Sequence, residues 1–189
     1  MSSISSQRVF CLQALFLFFL FSQACSSKYT LESSDYRGYE GEINQHTRLI
    51  QASRERIFQI LTSEDSFREI CPKGTIVTFE TPPPYRAGTL VRTKIAHIFE
   101  LEWNTRVEEV SPPSKIRLHF LEGFFAGGTE IWEIESLGKK TQVTHTIIFK
   151  PIGILRSLAW ALKVRTKHDK MIEAVLANLQ RVSERHPTE

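Results

Sequence analysis

The stretch TQVTHTIIFKPIGILRSLAWALKVRTKHDKMIEAVLANLQRV, residues 141–182, changes its hydrophobic period midway, and that change decides the fold. Up to Lys150 the pattern alternates, which puts Val143, Ile147 and Phe149 on one strand face with His145 among them. Pro151 and Gly153 then interrupt the strand. Beyond them the period becomes helical: Leu155, Leu158, Leu162, Ile172, Val175, Leu176, Leu179 and Val182 are expected to form one stripe of a helix of about thirty residues.

Working back towards the N-terminus, alternating segments cover 75–81, 89–99, 100–110, 115–122 and 129–135. Most are separated by strong turn signals: Pro82-Pro83-Pro84, Ser111-Pro112-Pro113, Gly127-Gly128 and Gly138-Lys139. Strands joined in series by short turns make an antiparallel meander. A further strand is expected at 46–52, followed by Ser53 as an N-cap, a short helix at 54–62 and another at 64–70. Cys71-Pro72 ends the second helix, because proline disfavours helical backbone in the residue before it. The expected fold is α+β: a curved seven-stranded antiparallel sheet wrapped around a long C-terminal helix, with two short helices after strand 1. A sheet this curved buries the helix stripe only by gripping it.

Composition excludes several classes. The 189 residues are 41% hydrophobic and 24% charged with 13 Phe, ordinary values for a globular chain with an aromatic-rich interior. The net charge is +3, and the 24 basic residues are spread along the chain, with no zinc-finger or helix-turn-helix pattern; nucleic acid is not an expected partner. No His/Cys cluster has metal-ligand spacing along the sequence, so neither a metal nor a cofactor is expected.

The N-terminus reads as an export signal. Arg8 precedes a thirteen-residue apolar stretch from Val9 to Phe21, interrupted only by Gln13 and too short for the ~20 residues of a spanning helix. Ser22-Gln23-Ala24-Cys25 follows, with small residues where a signal peptidase reads. It is similar to the lipobox of bacterial lipoproteins, although Ser22 stands where most have Leu, and ordinary secretion and an uncleaved anchor are the competing readings. The expected division is a signal peptide at 1–24, a polar tether at 25–44 beginning with an acylated Cys25, and one domain at 45–185. That places the protein in the periplasm or at the outer membrane, held by its acyl chains.

Four stretches of the domain carry a resemblance: ASRERIF at 52–58, GTLVR at 88–92, WNTRVEEVSPP at 103–113 and TEIWEI at 129–134. Together with the element order, they resemble the START/SRPBCC superfamily, nearest to its polyketide cyclase-like and coenzyme Q-binding branch, over residues 45–184. The resemblance implies a cavity between sheet and long helix that takes up sterols, phospholipids, isoprenoid quinones or polyketides in different members. Fold does not dictate ligand, and no enzymatic signature of any branch is present. The expected function is binding or carriage of a hydrophobic small molecule. A cyclase or dehydratase acting on such a molecule and an interaction module with a filled cavity are the alternatives.

Alternation names the candidate ligand-binding residues. Val91, Thr93, Ile95 and His97 share one face, as do Leu101, Trp103, Thr105 and Val107, and both faces are the apolar ones. Trp103 is then core filler or cavity wall. His97 and His145 point inward and need partners, which a satisfied core histidine finds in the protein and a recognition histidine finds in a ligand head group. Phe124 and Phe125, between glycines, either cap the core or gate the cavity. Trp132 shares a face with Glu130, and periodicity assigns that face to neither side. Extending the Leu158, Leu162 line reaches Arg165 and Asp169, which form a surface ion pair or line the cavity mouth.

Overall fold

A computed structural model describes residue 36 and residues 38–95 and 101–185, and its sheet and helices belong to the compact unit that starts at Tyr39. The expected export signal with Cys25, and the 96–100 segment with His97, lie outside the described residues.

Seven strands form one antiparallel sheet: β1 (Glu42–Ile50), β2 (Thr75–Phe79), β3 (Leu90–Ile95), β4 (Leu101–Ser111), β5 (Lys115–Phe120), β6 (Thr129–Leu137) and β7 (Lys140–Phe149). Their spatial order is β1-β7-β6-β5-β4-β3-β2, a meander from β2 to β7 whose far edge is closed by β1. Two short helices, α1 (Arg54–Thr62) and α2 (Glu64–Ile70), follow β1. The Ser53 hydroxyl accepts the Arg56 N–H at 3.2 Å and starts α1 as an N-cap does. After β7 come α3 (Ile154–Ala159), a π-helical turn at Trp160–Val164, and α4 (Arg165–Glu184). This is the helix-grip that the sequence implied.

Strand register places the inward faces. Val143, His145 and Ile147 of β7 stand opposite Ile134, Trp132 and Glu130 of β6, and opposite Arg48, His46 and Asn44 of β1. Glu130 and Trp132 are therefore on the concave face with His145. One core joins α1, α2 and α4 to the sheet, with Ile57, Ile60, Leu176 and Leu179 fully buried against Ile116, Ile134 and Val143. A second cluster, of Phe120, Phe125, Ile147, Phe149 and Trp160, fills the other end, with Trp103 and Phe124 packed against it. Gly128 makes that packing possible, because a Cβ there would sit 2.6 Å from the Phe149 Cβ.

The long helix differs from its expected stripe. Ile172, Val175, Leu176, Leu179 and Val182 are buried, but Leu155, Leu158 and Leu162 are 84%, 51% and 78% exposed. The buried side continues through His168 and Val164 to Trp160, which is 1% exposed. An α-helix turns about 100° per residue, so Ile154, Leu155 and Leu158 lie on the side away from Trp160. Steps of four residues, from Trp160 to Ile172, overshoot a full turn by about 40° each. The wider π-turn, in which the Arg165 N–H bonds the Trp160 carbonyl, absorbs part of that drift. The helix is apolar on two sides, and the side bearing Trp160 faces the sheet, where its indole N–H finds the Glu42 carboxylate.

Candidate functional site

Between the sheet and α2 lies a cavity of about 40 Å³ walled by Phe67, Phe79, Tyr85, Thr93, Leu118, Glu130 and Trp132, among others. That is room for a water or a few, well below the ~300 Å³ of a drug-sized ligand site. Its outer wall is a row of half-buried aromatic rings: Phe67 from α2 is 6.2 Å from Phe79, which is 5.2 Å from Tyr85 on the loop after β2. Burial, and next the Glu130 carboxylate, push the Tyr85 phenol above its ordinary 10.0, so it stays protonated and able to donate.

On the sheet side Val91, Ile116 and Leu118 line the cavity together with the polar Thr93, Thr105 and Glu130. Glu130 Oε1 accepts the Trp132 indole N–H at 2.8 Å and lies 3.2 Å from His145 Nε2. The other ring nitrogen, His145 Nδ1, is buried without a hydrogen-bond partner. Behind His145, with ring centres 5.9 Å apart, stands His168 of α4. Its Nδ1 bonds Asn44 Oδ1 at 3.0 Å, and Asn44 Nδ2 donates to Asp169 Oδ1 at 2.8 Å. Burial, then the neighbouring His145 and His46, push the His168 pKa down to about 2, so its ring is neutral. His46 closes the chain, with Nε2 3.1 Å from Asp169 and Nδ1 3.0 Å from Glu173, whose other oxygen takes Arg48 Nη2.

One ring nitrogen each of His46 and His168 and an Asp169 oxygen lie within 4.8 Å of one another, a set with the donor types of a divalent-cation site. The fold assembles it across β1 and α4, which is why no spacing along the sequence announced it. Hydrogen bonds to Asn44 and Glu173 already engage these atoms.

The residues expected from sequence to bind a ligand are dispersed. Thr93 and Trp132 wall the cavity, and His145 stands behind Glu130. Trp103, Phe124 and Phe125 belong to the aromatic cluster, Phe125 being buried and its ring 6.0 Å from Trp160. Ile95 is half-buried at the end of β3, while Leu101, Leu162 and Arg165 face solvent. Asp169 turns to Asn44 and His46 rather than to Arg165, because an inward bond to β1 was available to it. Sequence reading passed over Asn44, His46 and His168, and also Phe67, Phe79 and Tyr85. No local pattern marks them, since each works only against a partner from a distant element.

No known protein family and no curated protein matches the chain in sequence. Solved structures match it in fold. TTHA0849 from Thermus thermophilus superposes with a TM-score of 0.62 at 20% identity, over 74% of this chain and 95% of that one. The ginseng major latex-like protein 151 from Panax ginseng gives 0.62 at 11% identity, over 75% and 97%. The di-domain ARO/CYC protein BexL, from the BE-7585A biosynthetic pathway, gives 0.58 at 19% identity, over 74% of this chain and 45% of its own. The similarity is one of fold.

Proposed function

We propose that the domain binds a hydrophobic small molecule between its sheet and α2, in a cavity that widens when the Phe67, Phe79 and Tyr85 wall parts. The observation that carries this is an interior space lined by aromatic and aliphatic groups yet ending on Glu130 and Tyr85, groups able to bond a ligand's hydroxyl or carbonyl. The ring wall comes from three separate elements, so side-chain rotation and movement of the proline-rich loop would open it without disturbing the sheet. The fold shared with the ARO/CYC protein is consistent with this reading. In the proposal the chain is also exported and tethered to a membrane by an acylated Cys25; Cys25→Ala would abolish incorporation of labelled palmitate into the protein.

A second reading, an interaction module with a filled interior, is favoured by the cavity's present size of about 40 Å³. Organic extraction of the full chain purified from its own host, followed by mass spectrometry, separates the two. A stoichiometric hydrophobic compound supports carriage. Its absence, together with no uptake from a mixture of lipids and isoprenoids, supports the filled module.

A further inference from the structure

We infer that the outward side of α3 and the π-turn is a membrane-docking surface that seats the domain on an anionic bilayer. Ile152, Ile154, Leu155, Leu158 and Leu162 are 72%, 80%, 84%, 51% and 78% exposed, a concentration of large aliphatic residues within eleven positions. Soluble proteins rarely leave such a patch facing water without a use for it.

The patch sits on an anchored helix. On its other side Trp160 is buried, with its ring 4.7 Å from Phe149 and 6.0 Å from Phe125, and its N–H on Glu42. The leucines are therefore presented outward by a helix fixed to the sheet from behind.

Charge selects the occupant. From 156 to 170 the chain carries Arg156, Lys163, Arg165, Lys167 and Lys170, and its one acid, Asp169, is engaged by Asn44 and His46. An apolar stripe bordered by cations is the composition of a helix that lies in the interface plane, its leucines among acyl chains and its cations among acidic head groups. A second copy of this chain fits worse. A two-fold contact through this face would set each cluster of cations against its own copy. Among the described residues no helix is long and apolar enough to cross a membrane, so the segment lies on the bilayer. This inference stands whether or not the cavity holds a ligand, and it is separate from the Cys25 anchor.

Hydrogen exchange read by mass spectrometry on the full chain tests it, because exchange reports where a bound chain touches lipid even if its N-terminus also tethers it. With vesicles of phosphatidylcholine and phosphatidylglycerol, amides of residues 152–164 are expected to exchange at least about tenfold more slowly than without vesicles. With phosphatidylcholine alone, or at high salt, the protection shrinks. The double variant Leu155→Glu/Leu162→Glu changes only exposed positions and should fold normally, yet lose that protection. Unchanged exchange at 152–164 while the chain is vesicle-bound overturns the inference. So does a lipid-free dimer, seen by sedimentation and abolished by the same double variant, which would make the face a self-contact.

Discussion

His145 Nε2 and Trp132 Nε1 converge on one oxygen of Glu130, at 3.2 Å and 2.8 Å. The carboxylate thereby engages two ring nitrogens on the concave face and holds both rings beside the cavity. Glu130→Ala should destabilise the domain by about 2 kcal/mol or more, since it leaves buried polar groups without an acceptor. Urea unfolding of variant and parent measures it. Glu130→Gln keeps an acceptor oxygen and should cost less. Equal losses for the two would show that the carboxylate's bonds are not what matters.

The two apolar sides of the C-terminal helix should respond in opposite ways to truncation. Trp160→Ala removes a buried indole from the aromatic cluster and should cost about 3–5 kcal/mol. Leu162→Ala, at a residue 78% exposed, should change stability by no more than about 0.5 kcal/mol. Denaturant midpoints of the two variants check the orientation of the helix directly.

His168 gives acid sensitivity with a definite sign. Its pKa falls from the ordinary 6.5 to about 2 in the folded state, where His46, His145, Asn44 and Asp169 surround it. Below pH 6.5 the unfolded chain takes up a proton that the folded chain refuses, so the contribution present above 6.5 is lost progressively as pH falls. His168→Phe should flatten the decline in stability between pH 6.5 and 4. Thermal melts across that range make the measurement.

Cys71 should be a poor nucleophile. Burial pushes its thiol from 9.0 up to about 11, against a smaller downward pull from Arg68. At pH 8 its alkylation by iodoacetamide should be far slower in the native state than in urea. The linked stability is present below pH 9 and is lost as pH rises towards 11, where the unfolded chain has already released the proton.

What could be read in the sequence follows from how local each signal was. The meander was legible because prolines and glycines marked its turns, and the inward direction of His145 followed from Val143, Ile147 and Phe149 on either side of it. The face of Glu130 was not legible, since it depends on the register that sets Glu130 opposite Ile147. The stripe through Leu155, Leu158 and Leu162 misled because periodicity reports that a side is apolar and cannot say what covers it. One inserted π-turn and one tryptophan turned that side to solvent. The His46–Asp169 and Asn44–His168 bonds join residues more than 120 positions apart, a distance no spacing rule spans.

Native mass spectrometry of the full chain and of Thr93→Phe, after equilibration with a mixture of phospholipids, isoprenoid quinones and sterols, tests the hydrophobic-binding proposal most directly. Thr93 walls the cavity, and a phenyl ring there would occupy the space from which a ligand must start. One hydrophobic molecule is expected per parent chain and none per Thr93→Phe chain, with both proteins folded. A parent chain that takes up nothing, or a variant that binds as well as the parent, would contradict it.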